Sequence, residues 1–308
     1  MYDTAIIGGG AAGLSAAIFA AARGKSVILL ERLQRVGKKL LATGNGRCNI
    51  SNRHIAPERY HGKHTGFIKY ALDAFSAQDT EAFFARIGLP LSEGECGKLY
   101  PQSLQASSVL DLLRLAANHS GVVERVDCMI KKITPKGTYF ELTAADDTII
   151  KSKTVICAAG GKAAPSMGTD GSAYALLTSL GHSLVRPFPS LVQIKTATPM
   201  RALKGTKHQG AATIYLGNKA IKTEMGEILF TDYGLSGPPI FNLSRIASLH
   251  AGEKDVSISL NFFPSLSEAD LRDMLCLRRT TCPHLTGESF LYGLLQKNIG
   301  QSGTRQVQ

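Results

Sequence analysis

Residues 2–13 read Tyr2-Asp3-Thr4-Ala5-Ile6-Ile7-Gly8-Gly9-Gly10-Ala11-Ala12-Gly13, and this stretch decides the fold. Tyr2 to Ile7 is a short apolar run of the kind that makes a buried parallel strand. Leu14 to Gly24 then reads as a small-residue helix closed by glycine, and Ser26-Val27-Ile28-Leu29-Leu30 as a second strand ending in Glu31. Three of the glycines have separate tasks in such a unit. Gly8 permits a tight turn, Gly10 lets the backbone approach a pyrophosphate, and Gly13 lets helix and strand pack closely. Phosphates suit the helix N-terminus, where unpaired N–H groups and the helix dipole favour negative charge. Glu31 is placed to accept hydrogen bonds from ribose hydroxyls. Strand, glycines, helix, strand and terminal acid in register predict a dinucleotide-binding βαβ unit.

Beyond Glu31 comes Arg35-Val36-Gly37-Lys38-Lys39-Leu40-Leu41-Ala42-Thr43-Gly44-Asn45-Gly46-Arg47-Cys48-Asn49-Ile50-Ser51-Asn52. It is too rich in Gly, Asn and Lys for a core element and too orderly for a linker. Such loops supply backbone amides, side-chain amides and cations to ligands. Helices are expected over Thr65–Ala74 and Asp79–Ile87, and one capped by Ser107-Ser108 runs through Leu110, Leu113 and Ala116. Strands are expected over Val122–Ile133 and Thr138–Thr143 with a turn at Pro135-Lys136-Gly137. Thr154 to Ala158 reads as another buried strand, ending in Ala159-Gly160-Gly161. A helix over Ser172–Leu180 follows the Gly168-Thr169-Asp170-Gly171 turn. Composition shifts near Pro187, which divides the chain into domains 1–187 and 188–308. In the second, short strands (Ala212–Leu216, Ile228–Phe230, Val256–Leu260) accompany a helix after Gly234-Leu235-Ser236-Gly237-Pro238 and another starting at Ser267.

Composition narrows the function. A chain of 308 residues carries a sizeable core and commonly divides in two. No uninterrupted apolar span is long enough to cross a bilayer, and the glycine-broken N-terminus is not a signal peptide. Cys48, Cys96, Cys128, Cys157, Cys276 and Cys282 form no C-x-x-C pair, so reduced thiols and a cytoplasmic location are expected. Cys276, Cys282 and His284 fit no standard zinc spacing, and no metal is expected. The formal charge of +11 is spread along the chain without an RNA-binding aromatic signature. It reads as a solvated surface around an anionic cofactor, with no nucleic-acid partner expected.

A nicotinamide dehydrogenase would continue as alternating strands and helices. Here a cofactor-type loop, a helical excursion and a β-rich segment intervene before the second glycine-ended strand, an order typical of flavoproteins with extended FAD. Gly8–Gly13 with Glu31, Gly37-Lys38-Lys39, Thr43-Gly44-Asn45-Gly46-Arg47-Cys48-Asn49, Ala158-Ala159-Gly160-Gly161, and Gly226-Glu227-Ile228-Leu229-Phe230-Thr231 with Gly234–Pro238 carry a resemblance. The chain resembles the HI0933-like flavoprotein family, also described as BaiN/RdsA-type NAD(P)/FAD-dependent oxidoreductases or aminoacetone-oxidase-family FAD-binding enzymes. The resemblance implies an α/β fold: a Rossmann-like FAD-binding domain, its parallel sheet extended by a β-meander, plus a smaller α+β domain rich in strand. It also implies that Gly8, Gly10, Ala11, Ala12 and Gly13 cradle the FAD pyrophosphate, with Glu31 and Arg32 on the adenosine side. Lys38, Lys39, Thr43, Gly44, Gly46 and the Arg47-Cys48-Asn49 turn would line the path to the flavin. Ile130 would lie beside the adenine, Ala159, Gly160 and Gly161 would close over the cofactor, and the Gly234–Pro238 loop would face the flavin from the second domain.

The reaction implied is hydride or electron transfer from NAD(P)H through FAD to a small-molecule ketone, enone or amine, or to oxygen. Family members continue with a Gly-Glu-x-x-Asp strand that returns to the FAD domain. No such segment is legible before the polar tail Lys297–Gln308, so the second domain reads as incomplete relative to the family. A non-catalytic dinucleotide-binding protein is the alternative. Arg47 is a candidate to stabilise anionic flavin, or else to pin its own loop. Cys48 is a weaker candidate redox thiol or acid, and a small buried turn residue on the plainer reading. No general acid stands out, and oligomeric state is not readable.

Overall fold

The computed structural model describes residues 1–62, 64–253 and 255–305. Two compact units divide the chain, residues 1–185 and residues 186 onward.

In the first unit, β1 (Tyr2–Ile7), β2 (Val27–Leu30) and β9 (Ile149–Cys157) surround the glycine turn, with α1 (Ala11–Ala21) between β1 and β2. After β2 come β3 (Ser51–Asn52), α2 (Phe67–Ala74), α3 (Ala77–Arg86), β4 (Leu91–Glu93), β5 (Lys98–Pro101) and α4 (Ala106–His119). Then follow β6 (Val123–Arg125), β7 (Ile130–Lys136) and β8 (Tyr139–Ala144), with α5 (Ala173–Thr178) after β9. The main sheet has the order β6-β2-β1-β9-β8-β7. Its first four strands pair in parallel and the meander β9-β8-β7 pairs antiparallel. A small antiparallel sheet, β3-β5-β4, stands apart.

Burial on both faces explains the unbroken apolar runs. Ile6, Val27 and Leu29 point into a core with Leu14, Ala17, Val109 and Leu113. Their neighbours Ala5, Ile7, Ile28 and Leu30 point the other way, into a core with Ile130, Ile133, Leu142, Ile150 and Leu176. Each fully buried Leu or Ile contributes about 2 kcal/mol by leaving water. Alanines on α1 keep that helix close to the sheet, with Gly13, Leu14, Ala17 and Ile18 buried.

Three local expectations are corrected. The strand expected over Val122–Ile133 is broken in two, because residues 127–128 turn aside to bond the segment after β2. Asp127, left-handed at φ 49°, donates its N–H to Leu33 O, and Cys128 donates to Glu31 O. Pro135 does not begin a turn but continues β7 opposite Phe140. β7 is the sheet edge, where a missing N–H costs no ladder bond. Helix α4 starts at Ala106, ahead of the serines expected to cap it.

The second unit holds an antiparallel sheet, β10-β13-β12-β11-β14, built from β10 (Ile194–Lys195), β11 (Lys207–Leu216), β12 (Lys219–Thr231), β13 (Gly234–Ser236) and β14 (Val256–Asn261). Helices α6 (Pro238–Leu249), α7 (Glu268–Thr281) and α8 (Lys297–Arg305) complete it. Ser267 caps α7 as expected, accepting the Asp270 N–H. The tail expected to be merely polar is helical from Lys297, because buried Ile299 joins the core of Ile214, Phe230 and Ile240. Gln306, Val307 and Gln308 lie outside the described residues. Among the described residues no helix is long and apolar enough to cross a membrane.

A Cβ on Gly13 would collide with the Gly8 carbonyl oxygen, backbone that cannot swing aside. Gly13→Ala is therefore expected to lower unfolding free energy by more than about 2 kcal/mol, measured by urea denaturation.

Candidate dinucleotide site

Where β1 ends, Gly8 turns the chain at φ +105°, and a Cβ there would strike Ala158 and Ala159. Gly10, the N-cap of α1, differs. Its φ is −82°, and a Cβ on it would meet no protein atom within 4 Å. Protein packing therefore does not demand glycine at this position; the space beside it is open cavity. No side chain caps α1 and no acid sits in its first turn, so its first N–H groups keep their capacity for an anion. These residues fit the diphosphate of a dinucleotide.

Two chambers meet at this turn. The larger, about 370 Å³, is lined by Gly8, Gly10, Ala11, Ala12, Glu31, Lys38, Lys39, Thr43, Cys48, Asn49, Ala159 and Gly160 among others. The smaller, about 230 Å³, is lined by Arg32, Cys128, Met129, Ile130, Lys131 and Leu176 among others. Gly8, Glu31, Ala159 and Gly168 belong to both. Two chambers joined at the glycine turn match an elongated ligand with a base at one end.

Glu31 is already engaged. Its Oε2 accepts the Gly9 N–H (2.8 Å) and its Oε1 the Leu33 N–H (2.9 Å). The carboxylate thus fixes the glycine turn, while each oxygen keeps a lone pair for a hydroxyl. Arg32 turns instead to Asp170 and Ser172. Lys38 donates to Ser166 O and Lys39 to Ala163 O, both at 3.0 Å.

The 43–49 turn sorts its residues. Gly44, Asn45 and Gly46 are left-handed in succession, and Cys48 is left-handed again at φ 58°. Arg47 N donates to Gly44 O and Cys48 N to Thr43 O. Cys48 consequently faces inward, buried in the larger chamber, while Arg47 faces out. The Arg47 guanidinium lies 5.1 Å from the Tyr100 ring centroid, with Nε 3.4 Å from Gly44 O. Arg47 lines neither chamber, so the geometry matches loop pinning rather than a cation at the cavity. Gly44 and Gly46 serve the turn, Gly13 the helix packing, and Gly161 lies under Tyr174, outside both linings.

Sequence reasoning missed Ser15, Phe84, Met167, Gly168 and Thr169, all of which line the larger chamber. Ser15 was findable, since it follows Ala11 and Ala12 by one helical turn. Phe84 carried no signal, being a core residue of α3. In the second unit, Gly234 and Gly237 are explained by close backbone approach, since Cβ atoms there would strike Ile194 O and Glu227 O.

Residues 2–287 match the model of the HI0933-like protein Rossmann domain. The chain belongs to the HI0933-like family. It is similar to a 3-dehydro-bile acid delta(4,6)-reductase of Clostridium scindens, 37% identical over 97% of this chain and 74% of that protein. It is also similar to ribosomal RNA dihydrouridine synthases of Escherichia coli (27% identical, 97% of this chain, 72% of that one) and Haemophilus influenzae (27%, 79% and 61%).

Burial pushes the Cys48 thiol pKa up, against a smaller opposing effect of the Thr43 hydroxyl. At neutral pH it is a protonated, shielded thiol. Thiol titration with a disulfide reagent is expected to modify the exposed Cys96 and Cys276 at least about tenfold faster than Cys48 in the folded protein.

Proposed function

We propose that this HI0933-like protein is an FAD-dependent oxidoreductase that saturates a carbon–carbon double bond conjugated to a carbonyl, drawing electrons from NAD(P)H. One observation carries the cofactor reading: an uncapped α1 N-terminus beside Gly10, opening on two chambers that meet at Gly8 and Glu31. In this reading Gly10, Ala11 and Ala12 hold the diphosphate by backbone N–H groups, and Glu31 accepts from ribose hydroxyls. The side chamber at Ile130 takes the adenine. Lys38, Lys39, Thr43, Cys48 and Asn49 line the flavin arm.

Bound there, an isoalloxazine supplies hydride transfer in both directions. The chain's share is orientation, charge and exclusion of water. Phe84, Val109 and Leu113 give the larger chamber an apolar floor. Lys38 and Lys39 bring positive charge to its rim, which favours an anionic ligand and a reduced, negatively charged ring.

The substrate class comes from the relatives. A delta(4,6)-reductase of a 3-dehydro-bile acid and a dihydrouridine synthase both saturate a double bond conjugated to a carbonyl. The higher identity of the bile-acid enzyme favours a small-molecule enone over a uracil in RNA.

Purified protein mixed with FAD and gel-filtered is expected to retain visible flavin absorbance, to bleach anaerobically with NADH or NADPH, and to recolour on adding a conjugated 3-oxo-steroid. Gly10→Ala is expected to unfold within about 1 kcal/mol of wild type yet bind FAD at least about tenfold more weakly. Protein that emerges colourless from saturating FAD would overturn the cofactor reading. Recolouring with a uridine-containing RNA and not with the steroid would transfer the substrate class to nucleic acid.

A further inference from the structure

Residues 160–171 run from the end of β9 to α5, and three cations from the segment after β2 hold them down. Lys39 Nζ donates to Ala163 O and Lys38 Nζ to Ser166 O, each at 3.0 Å. Arg32 Nη1 lies 3.0 and 3.2 Å from the two Asp170 carboxylate oxygens and 3.1 Å from Ser172 Oγ. Between these ties Gly168 packs on Leu33, so closely that a Cβ would stand 2.9 Å from Leu33 Cδ1. Gly168 is also among the residues shared by the two chambers. A dinucleotide filling both has its middle at that junction.

The segment is bounded by two glycines able to serve as hinges. Gly160 and Gly171 at its ends are left-handed, at φ +78° and +86°, positions where glycine absorbs backbone rotation without a Cβ penalty. Inside it the Thr169 hydroxyl bonds back to the Ala163 carbonyl, closing the loop on itself.

The three ties are unequal. Both lysines rest on neutral carbonyls, acceptors they can exchange for phosphate oxygens at little cost. Arg32 meets a full charge. The Ser172 hydroxyl and amide, with the Arg32 guanidinium, hold the Asp170 carboxyl well below the usual carboxylate range, so it stays ionised. Arg32 lines the smaller chamber, but its guanidinium is engaged by Asp170 and Ser172 on the strap side. Resting on the flavin reading above, we propose that Arg32 and Asp170 latch a strap across the middle of the dinucleotide channel, and that unlatching gates both uptake and release of the cofactor. They are positioning residues, acting on the cofactor through residues 163–169.

A gate has a kinetic signature that a binding contact lacks. Removing a cofactor ligand speeds release and leaves uptake unchanged or slower; weakening a latch speeds both. The test follows the change in FAD fluorescence on mixing apoprotein with FAD, and its return on dilution of the reconstituted holoprotein. Arg32→Ala and Asp170→Asn are expected to raise both rate constants about threefold to tenfold, with Kd moving less than either. The exchanged pair Arg32→Asp with Asp170→Arg should return both rates toward wild type. Rates equal to wild type in the single variants overturn the latch while leaving the flavin reading intact. Faster release with slowed or unchanged uptake makes Arg32 a ligand or a structural brace and also overturns it. Wild-type protein that takes up no FAD overturns the flavin reading and the latch together.

Discussion

The backbone contact between Gly8 and Gly13 is the constraint on which the site depends. Helix α1 can bring its N-terminus over the end of β1 only because no Cβ stands between the helix and the Gly8 carbonyl. Any side chain at residue 13 would lift the first turn and carry Gly10, Ala11 and Ala12 away from the chamber they line. The same approach lets Leu14 and Ala17 reach the core under Ile6 and Leu29. Packing energy and anion geometry thus come from one close contact, and a change that relaxes one must degrade the other.

Glu31 ties the rest of the unit to that contact. Its carboxylate holds Gly9 and Leu33, while its own backbone N–H and C=O bond Arg125 O and Cys128 N. One residue therefore joins the glycine turn, the end of β2 and the approach to β7, where Ile130 opens the second chamber. An acid at this position is structural before any ribose is bound. The Gly9 and Leu33 N–H groups hold its carboxylate in one orientation, which is the preorganisation a hydroxyl-binding carboxylate needs.

The βαβ unit was legible because its signals are local: apolar runs, glycines at fixed spacing and a terminal acid all lie within residues 2–31. The same holds for Ser267 at the start of α7. What the sequence hid depends on partners far along the chain. Residues 126–129 read as strand by composition, yet they leave the ladder to bond Glu31 and Leu33. Pro135 read as a turn because its edge position is a tertiary fact. The resemblance set Arg32 on the adenosine side, but its partner Asp170 could not be read from sequence, being 138 residues away. The helical tail is legible only to a reader who knows that Ile299 has a core to enter.

The Thr43–Asn49 turn shows how backbone conformation separates the members of one motif. Composition marked the segment as ligand-facing and left Arg47 two roles, a cation for an anionic ring or a pin for its own loop. Backbone conformation matches the second role. Three consecutive left-handed residues reverse the chain so that Thr43, Cys48 and Asn49 line the chamber and Arg47 stacks outside on Tyr100. Gly44 is fixed by its approach to the Asn49 N–H, where a Cβ would stand 2.7 Å away. The positive charge at the cavity is carried instead by Lys38 and Lys39, whose ammonium groups hang on carbonyls they can release. Cations resting on neutral carbonyls suit a site that takes a large anion. A fixed arginine stacked on a tyrosine suits the different task of keeping the turn itself rigid.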